Sequence, residues 1–295
     1  MSVSGVLWLA SSHVLLNAGG IAYRQPNADG HHGELTPRAT RSWQGVDRLG
    51  IFNAFSIEWQ TAASHSACWA TTFRVYSSPN AKVVFEQEFH ASVAPGMTNI
   101  STAERNPTSW ANPSSVFPSF SASAAKAPEL GAISFHNQGD PQTAIGLGNL
   151  NPELMGFVGG VPVVLTDQSS GKTLVLSPLS AFLSTTFTVS SSRDALSAGV
   201  QGAASTIPKG HKVEVLLQLG NGISQTVLDW GGTLLKFWNK PPTALDANAH
   251  VSRLGYSGVG HYFCALCLPT LGRLLLVFAH LTTAGHRRPD PREKC

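Results

Sequence analysis

The chain of 295 residues is long enough for one large domain or two smaller ones. Its apolar fraction is 42%, but its charged fraction of 13% is about half of the usual share, which argues against charge-rich disordered chains, coiled coils and long single helices. The net charge of +3 comes without a stripe of Lys and Arg, so we expect no nucleic-acid partner. This composition favours a mainly β protein whose strands carry apolar residues on one face and Ser or Thr on the other.

The N-terminal residues 6–16 are apolar in two short runs. No Lys or Arg precedes them and polar residues interrupt them, which is a poor pattern for a signal peptide. We therefore predict an opening strand. The compartment stays undetermined by the sequence.

Three consecutive segments alternate apolar and polar residues, as half-buried strands do: 52–59, 67–76 and 82–89. Ser77 to Asn80 form a turn signal between the last two, so the three strands should form an antiparallel meander. The stretch 94–130 is rich in Pro, Ser and Asn and predicts a long loop.

Alternation resumes in the second half of the chain. Asp167 and Gly171 supply a turn between two apolar segments, which predicts a β-hairpin. The predicted strands are 132–135, 161–166, 173–177, 185–190 and 212–219.

The apolar spacing then changes to that of an amphipathic helix, which we predict over 221–239. Asn221 or Ser224 can cap its start, and Pro241 and Pro242 prevent its continuation. The apolar stripe comprises Ile223, Val227, Trp230, Leu234 and Trp238. We expect both Trp side chains to be buried.

Motifs for self-contained chemistry are incomplete. Cys264 and Cys267 have the CxxC spacing but no second ligand pair, and Ser257 lies in a GxSxG motif that lacks its last Gly. We therefore predict no catalytic, cofactor-binding or metal-ligating residues, and no cofactor.

The apolar run 262–281 contains Pro269 and Arg273. An Arg near the centre of a bilayer costs about 2.5–3.5 kcal/mol on insertion scales. Membrane attachment is thus unexpected, although it remains an alternative. We predict an irregular tail over 264–295 that can include some helix.

Three stretches together carry a family resemblance: VPVVLTDQSSGKTLVLSP (161–178) followed by Phe182, residues 202–235 with STIPKG, VLLQLGNG and VLDWGGTLL, and LGYSGVGHYF (254–263). In this order they resemble the N-terminal β-sandwich and the first barrel strand of glycoside hydrolase-like proteins that are distant relatives of the α-galactosidase and raffinose synthase families. The resemblance implies an antiparallel β-sandwich of the supersandwich type over 1–240. A linker and an aborted first barrel strand would follow over 241–263.

In that family the catalytic carboxylates lie on later barrel strands, so the resemblance assigns no catalytic residue to this chain. It implies the non-catalytic sandwich of a truncated glycoside hydrolase-like protein, and the chain itself is expected not to be an enzyme. One alternative is an independent carbohydrate-binding, lectin-like module; another is a membrane-attached structural protein. Carbohydrate is the expected partner, with Trp43 and Trp110 as sugar-stacking residues, because Trp59 and Trp69 follow the strand alternation of core residues.

The purified chain should not turn over aryl α-galactosides or α-glucosides faster than buffer alone. Such hydrolysis needs one carboxyl group to protonate the leaving group and a second to act as nucleophile or base, and the resemblance supplies neither. A steady-state assay with pure protein checks this. Clear turnover would contradict the assignment of a non-catalytic role.

Overall fold

A computed structural model gives the structure of the chain, and it describes residues 2–3, 6–7, 9–25, 33–61, 68–77, 81–95, 113–122, 130–135, 141–145, 162–189, 195–202, 204–241, 256–258 and 261–263. The described residues form twenty strands and one helix. They divide into two compact units, residues 1–240 and 241–295.

The first ten strands are β1 (Ser2–Val3), β2 (Val6–Leu7), β3 (Leu9–Ser11), β4 (Val14–Ala18), β5 (Ile21–Gln25), β6 (Gly33–Asp47), β7 (Gly50–Thr61), β8 (Trp69–Tyr76), β9 (Lys82–Phe89) and β10 (Ser115–Val116). The remaining elements are β11 (Ser119–Ala122), β12 (Leu130–Phe135), β13 (Pro141–Ile145), β14 (Val163–Asp167), β15 (Lys172–Pro178), β16 (Thr185–Val189), β17 (Ala195–Val200), β18 (Lys212–Asn221), α1 (Ile223–Phe237), β19 (Tyr256–Gly258) and β20 (His261–Phe263).

Most strands of the first unit belong to one curled sheet of twelve strands, in the order β10-β4-β5-β6-β7-β8-β9-β18-β15-β14-β12-β13. A smaller sheet has the order β16-β17-β11-β3. Neighbours in both sheets pair antiparallel, except that β5 and β6 run parallel over two residue pairs.

The two sheets share one hydrophobic core. Phe85 and Val215 of the large sheet belong to the same buried cluster as Phe120, Phe187 and Leu196 of the small sheet. Burial of such side chains contributes about 1.5–3 kcal/mol each, so this cluster holds the sheets together. The predicted fold class, mainly β with a helix near the C-terminal end, is confirmed.

The alternating segments form strands as predicted. Strands β7, β8 and β9 are neighbours and make the expected meander. Strands β14 and β15 form the expected hairpin, in which Gly171 has a φ of 66° and the carboxylate of Asp167 accepts hydrogen bonds from Ser169 and Ser170. The prediction of a continuous loop over 94–130 is wrong in part, because β10 and β11 lie within it and place Phe117 and Phe120 in the core.

Helix α1 packs on the face of the large sheet that points away from the small sheet. Its predicted apolar stripe is right for Trp230 and Leu234, which pack against the sheet, and wrong for Ile223 and Trp238. Thr226 and Thr233 are its buried residues, whereas Ile223 is 39% exposed and Trp238 is 45% exposed. The buried threonines face polar residues of the sheet beneath the helix. Thr233 Oγ1, for example, donates a hydrogen bond to Gln218 Oε1 at 3.0 Å.

The predicted side-chain cap of α1 is also wrong. Gly222 occupies the N-cap position with a φ of 75° and without a side-chain hydrogen bond. Asn221 is engaged elsewhere, because its Oδ1 accepts a hydrogen bond from Lys172 Nζ at 2.5 Å. The backbone conformation of a glycine therefore starts this helix.

In the second unit the described residues form an antiparallel hairpin of β19 and β20, with Tyr256 opposite Phe263. Its interpretation as the start of a barrel stays a prediction. The tail 264–295 lies outside the described residues, as does nearly all of the apolar run 262–281. Within the described parts of the chain, no helix has the length and apolar character to cross a membrane.

Replacing Trp230 by Ala should lower the free energy of unfolding by about 3 kcal/mol, the lower end of the range for a large core side chain. Trp230 is half-buried against the large sheet, and its Nε1 donates a hydrogen bond to Ser177 Oγ at 2.7 Å. Trp238→Ala is the matched control and should cost less than about 1 kcal/mol, because Trp238 is 45% exposed and lies outside the cluster that Trp230 packs against. Urea unfolding of both variants checks which face of α1 is buried. Equal losses of unfolding free energy in the two variants would contradict this assignment.

Candidate functional site

The outer face of the large sheet carries an open groove beside helix α1. Its register aligns Ala39, Glu58, Ala70, Glu88 and Lys212 in one row across five neighbouring strands, so their side chains point to the same face. Because Ala70 is short and its neighbours in the row are long, a depression forms along β8. Its volume is about 320 Å³.

We call this depression the Trp43 groove. Its floor consists of the small side chains Ser56, Ala70 and Thr72, and Thr72 Oγ1 donates to Ser56 Oγ at 3.0 Å. Its walls carry the longer side chains Arg41, Trp43, Glu58, Glu86, Glu88, His90 and Lys212. Strands therefore position all of the wall side chains except His90, which follows β9 directly.

Trp43 is the aromatic residue of the groove and is partly exposed. Its ring packs at the edge of a second hydrophobic cluster, which also supports Trp230, Leu234 and Phe237 of α1. The guanidinium carbon of Arg41 lies 5.2 Å from the ring centroid, within the range of a cation–π contact. Part of the ring is thus anchored, and an exposed and movable side chain covers another part.

The structure separates the tryptophans that the sequence singled out. Trp43 lies in the groove, as a sugar-stacking residue would. Trp110 falls outside the described residues, so a joint role with Trp43 stays a prediction. Trp59 and Trp69 are 5% and 0% exposed and belong to the core.

Some titratable side chains of the groove form ion pairs and others do not. Lys212 Nζ lies 3.0 Å from Glu88 Oε2 and 3.5 Å from Glu86 Oε1. Burial lowers the pKa of Lys212, but the hydrogen bond to Glu88 and the charge of Glu86 outweigh burial and raise it. Glu58 and His90, in contrast, make no side-chain hydrogen bond or ion pair within the described part of the chain. These two side chains can bind a ligand without breaking an existing pair.

A partly buried charge cluster lies between the groove and the helix. Arg74 Nη1 lies 2.9 Å from Asp47 Oδ2, and Arg74 Nη2 contacts Glu86 Oε2 at 3.3 Å and also the carboxylate of Glu214. Tyr76 donates its hydroxyl proton to Asp47 Oδ2 at 2.5 Å. The cluster connects the end of the β6–β7 hairpin to β8, β9 and β18.

The pKa values of this cluster follow from burial and charge. Burial, together with the hydrogen bond to Asp47, raises the pKa of Tyr76 far above its ordinary value. Burial lowers the pKa of Arg74, but the neighbouring Tyr76, Glu214 and Glu86 outweigh it and raise the pKa. At neutral pH Tyr76 is therefore a neutral donor and Arg74 a permanent cation.

Sequence reasoning missed the acids of this face. Asp47, Glu86 and Glu214 come from distant strands, and only the sheet register brings them to one arginine. The available signal was the alternation in β8 and β9, which places Arg74 and Glu86 on the polar face. Among the residues that the structure describes, no three His, Cys, Asp or Glu side chains are arranged to hold a metal ion.

In comparisons with known proteins, no family model matches the chain, and no curated protein matches it significantly. The resemblance to glycoside hydrolase-like proteins therefore stays a prediction from the three sequence stretches. The functional argument depends on the groove itself.

Replacing Arg74 by Met should lower the free energy of unfolding at neutral pH by about 3 kcal/mol or more, because the substitution leaves partly buried carboxylates without their cation. Repulsion among Asp47, Glu86 and Glu214 is then no longer offset by the nearby positive charge of Arg74.

Urea unfolding at neutral pH measures this effect. Arg41→Met is the matched control and should change stability by less than about 1 kcal/mol, since Arg41 is exposed. A loss for Arg74→Met no larger than that for Arg41→Met would show that the ion pairs of Arg74 do not contribute to stability.

Proposed function

We propose that this chain is a non-catalytic β-sandwich of a glycoside hydrolase-like protein and that it binds carbohydrate in the Trp43 groove. The observation that carries the proposal is a partly exposed tryptophan next to unpaired polar side chains on a rigid sheet. The three stretches that resemble the family support the same assignment, since they imply the sandwich part of such proteins.

The groove offers both kinds of contact that a sugar needs. The C–H face of a sugar ring is apolar and packs on an aromatic ring such as Trp43, while its hydroxyl groups require donors and acceptors. Glu58 supplies acceptors, Arg41 supplies donors, and His90 supplies either. Hydrogen bonds to charged groups are the stronger ones.

A sugar stacks fully on Trp43 only when Arg41 moves away from the ring. Arg41 is exposed, and an exposed cation–π contact is worth about 0.5–1 kcal/mol. Contacts between the displaced guanidinium and sugar hydroxyl groups offset this cost. Arg41 thus exchanges its contact with the indole of Trp43 for contacts with the sugar.

The state of the carboxylates favours binding over hydrolysis. Glycoside hydrolysis needs a protonated carboxyl group that faces a second carboxylate across the scissile bond. Glu86 and Glu88 are instead both paired with Lys212. The groove is also open, so it does not exclude water from a reacting bond.

Glycan-array screening followed by calorimetry tests the proposal. Trp43→Ala should weaken the affinity for the best-binding oligosaccharide by at least about tenfold, as expected for a tryptophan at the centre of a binding site. Trp43→Phe keeps a ring on the cluster and should retain part of the affinity. This variant separates lost stacking from lost stability.

Trp238→Ala is the matched control, because it removes a partly exposed indole outside the groove and should leave the affinity unchanged. Circular dichroism establishes that each variant is folded. Oligosaccharide binding that is insensitive to Trp43→Ala would place the sugar site elsewhere, and the absence of binding to every glycan would contradict the proposed function.

A further inference from the structure

We propose that the Trp43 groove prefers saccharides that carry free amino groups. This inference rests on the proposed function and names the substrate class of the same site. It depends on how charge is distributed along the groove rather than on the tryptophan alone.

Carboxylates outnumber cations in the groove. Three of them, Glu58, Glu86 and Glu88, face the two cations Arg41 and Lys212 and the imidazole of His90. The adjoining cluster adds Asp47 and Glu214 against the single cation Arg74, so five carboxylates in all face three cations and one imidazole. The field along the groove floor therefore favours a positively charged ligand over a negatively charged one.

The register places two of these carboxylates where a ring on the floor would meet them. Glu58 and Glu88 flank Ala70 in one row, two strand spacings or about 10 Å apart at the backbone. Ala70 contributes only a methyl group, so a sugar ring over it has room between the two acidic side chains. An amino substituent on either side of the ring would point towards a carboxylate.

Glu58 is the stronger candidate because its carboxylate makes no ion pair within the described residues. Glu88 is already paired with Lys212, whose side chain is 50% exposed. A ligand ammonium can take the place of Lys212 there, since the displaced amine returns to water at little cost. Uronic acids would instead add a fourth carboxylate to the groove.

The test compares glucosamine oligomers, N-acetylglucosamine oligomers of equal length and galacturonic acid oligomers by calorimetry at mildly acidic pH and low salt. The amine oligomer should bind about two- to fivefold more tightly than its acetylated counterpart, the range that one partly exposed ion pair supplies. The galacturonic acid oligomer should bind most weakly. Salt should reduce the preference for the amine.

Glu58→Gln should reduce the ratio of the amine affinity to the N-acetyl affinity to about one, because it removes the charge and keeps the shape of the side chain. Glu34→Gln is the matched control: Glu34 is an exposed carboxylate on the same strand as Trp43 but outside the groove, and its loss should leave the ratio unchanged. If Trp43→Ala also weakens the binding of both oligomers, the measured preference belongs to the Trp43 groove.

Equal binding of the amine and N-acetyl oligomers, with both sensitive to Trp43→Ala, would overturn the preference and leave the proposed function intact. Failure of all three oligomers, together with a negative glycan array, would overturn the proposed function. Spermidine serves as an amine without a sugar ring. Spermidine binding as tight as that of the glucosamine oligomer would show that the groove recognises charge alone, and would overturn the saccharide assignment.

Discussion

The burial of one face of the large sheet constrains the rest of the molecule. In strands β7 to β9 alternate side chains enter the shared core, among them Trp59, Trp69, Phe85 and Phe89, while Phe55 and Val75 at the far end of the same face are exposed. Because side chains alternate, this burial fixes which residues point outward, and a slip by one residue would exchange the two faces. The groove residues are therefore positioned by the core side chains next to them in sequence.

One part of the outer face packs against helix α1 and another part forms the Trp43 groove. The ion-pair cluster around Arg74 lies between these two parts. Towards β18 and β15 the face is covered by α1, through an apolar cluster and hydrogen bonds from Thr233 and Trp230. At the end of β7 and β8 that carries Glu58 and Ala70 it is open and polar. Arg74 and its carboxylates link strands on both sides, so they fix the width of the open part while keeping their own charges paired.

Sequence patterns predicted the strands whose two faces differ in environment. Strand β9 alternates strongly and was predicted over its full length. In contrast, β6 was missed, since most of its residues from Pro37 to Gln44 are exposed and therefore leave no apolar period. The buried face of helix α1 was predicted only in part: Trp230 packs on the sheet, but Thr226 and Thr233, not Trp238, fit over Gly220 and Gln218. The charged residues of the groove come together only through register between distant strands, which no local pattern records.

Trp43 belongs both to the groove and to the packing of the helix. It packs against the same cluster of Leu49, Phe52 and Leu216 that supports Trp230, Leu234 and Phe237. The ring is consequently held in place before any ligand arrives, and little side-chain entropy remains to be lost on binding. A ligand that stacks on the ring also adds contacts to a residue that supports the helix-bearing part of the sheet. Ligand binding and the stability of this face are thus linked through a single indole, and each should strengthen the other.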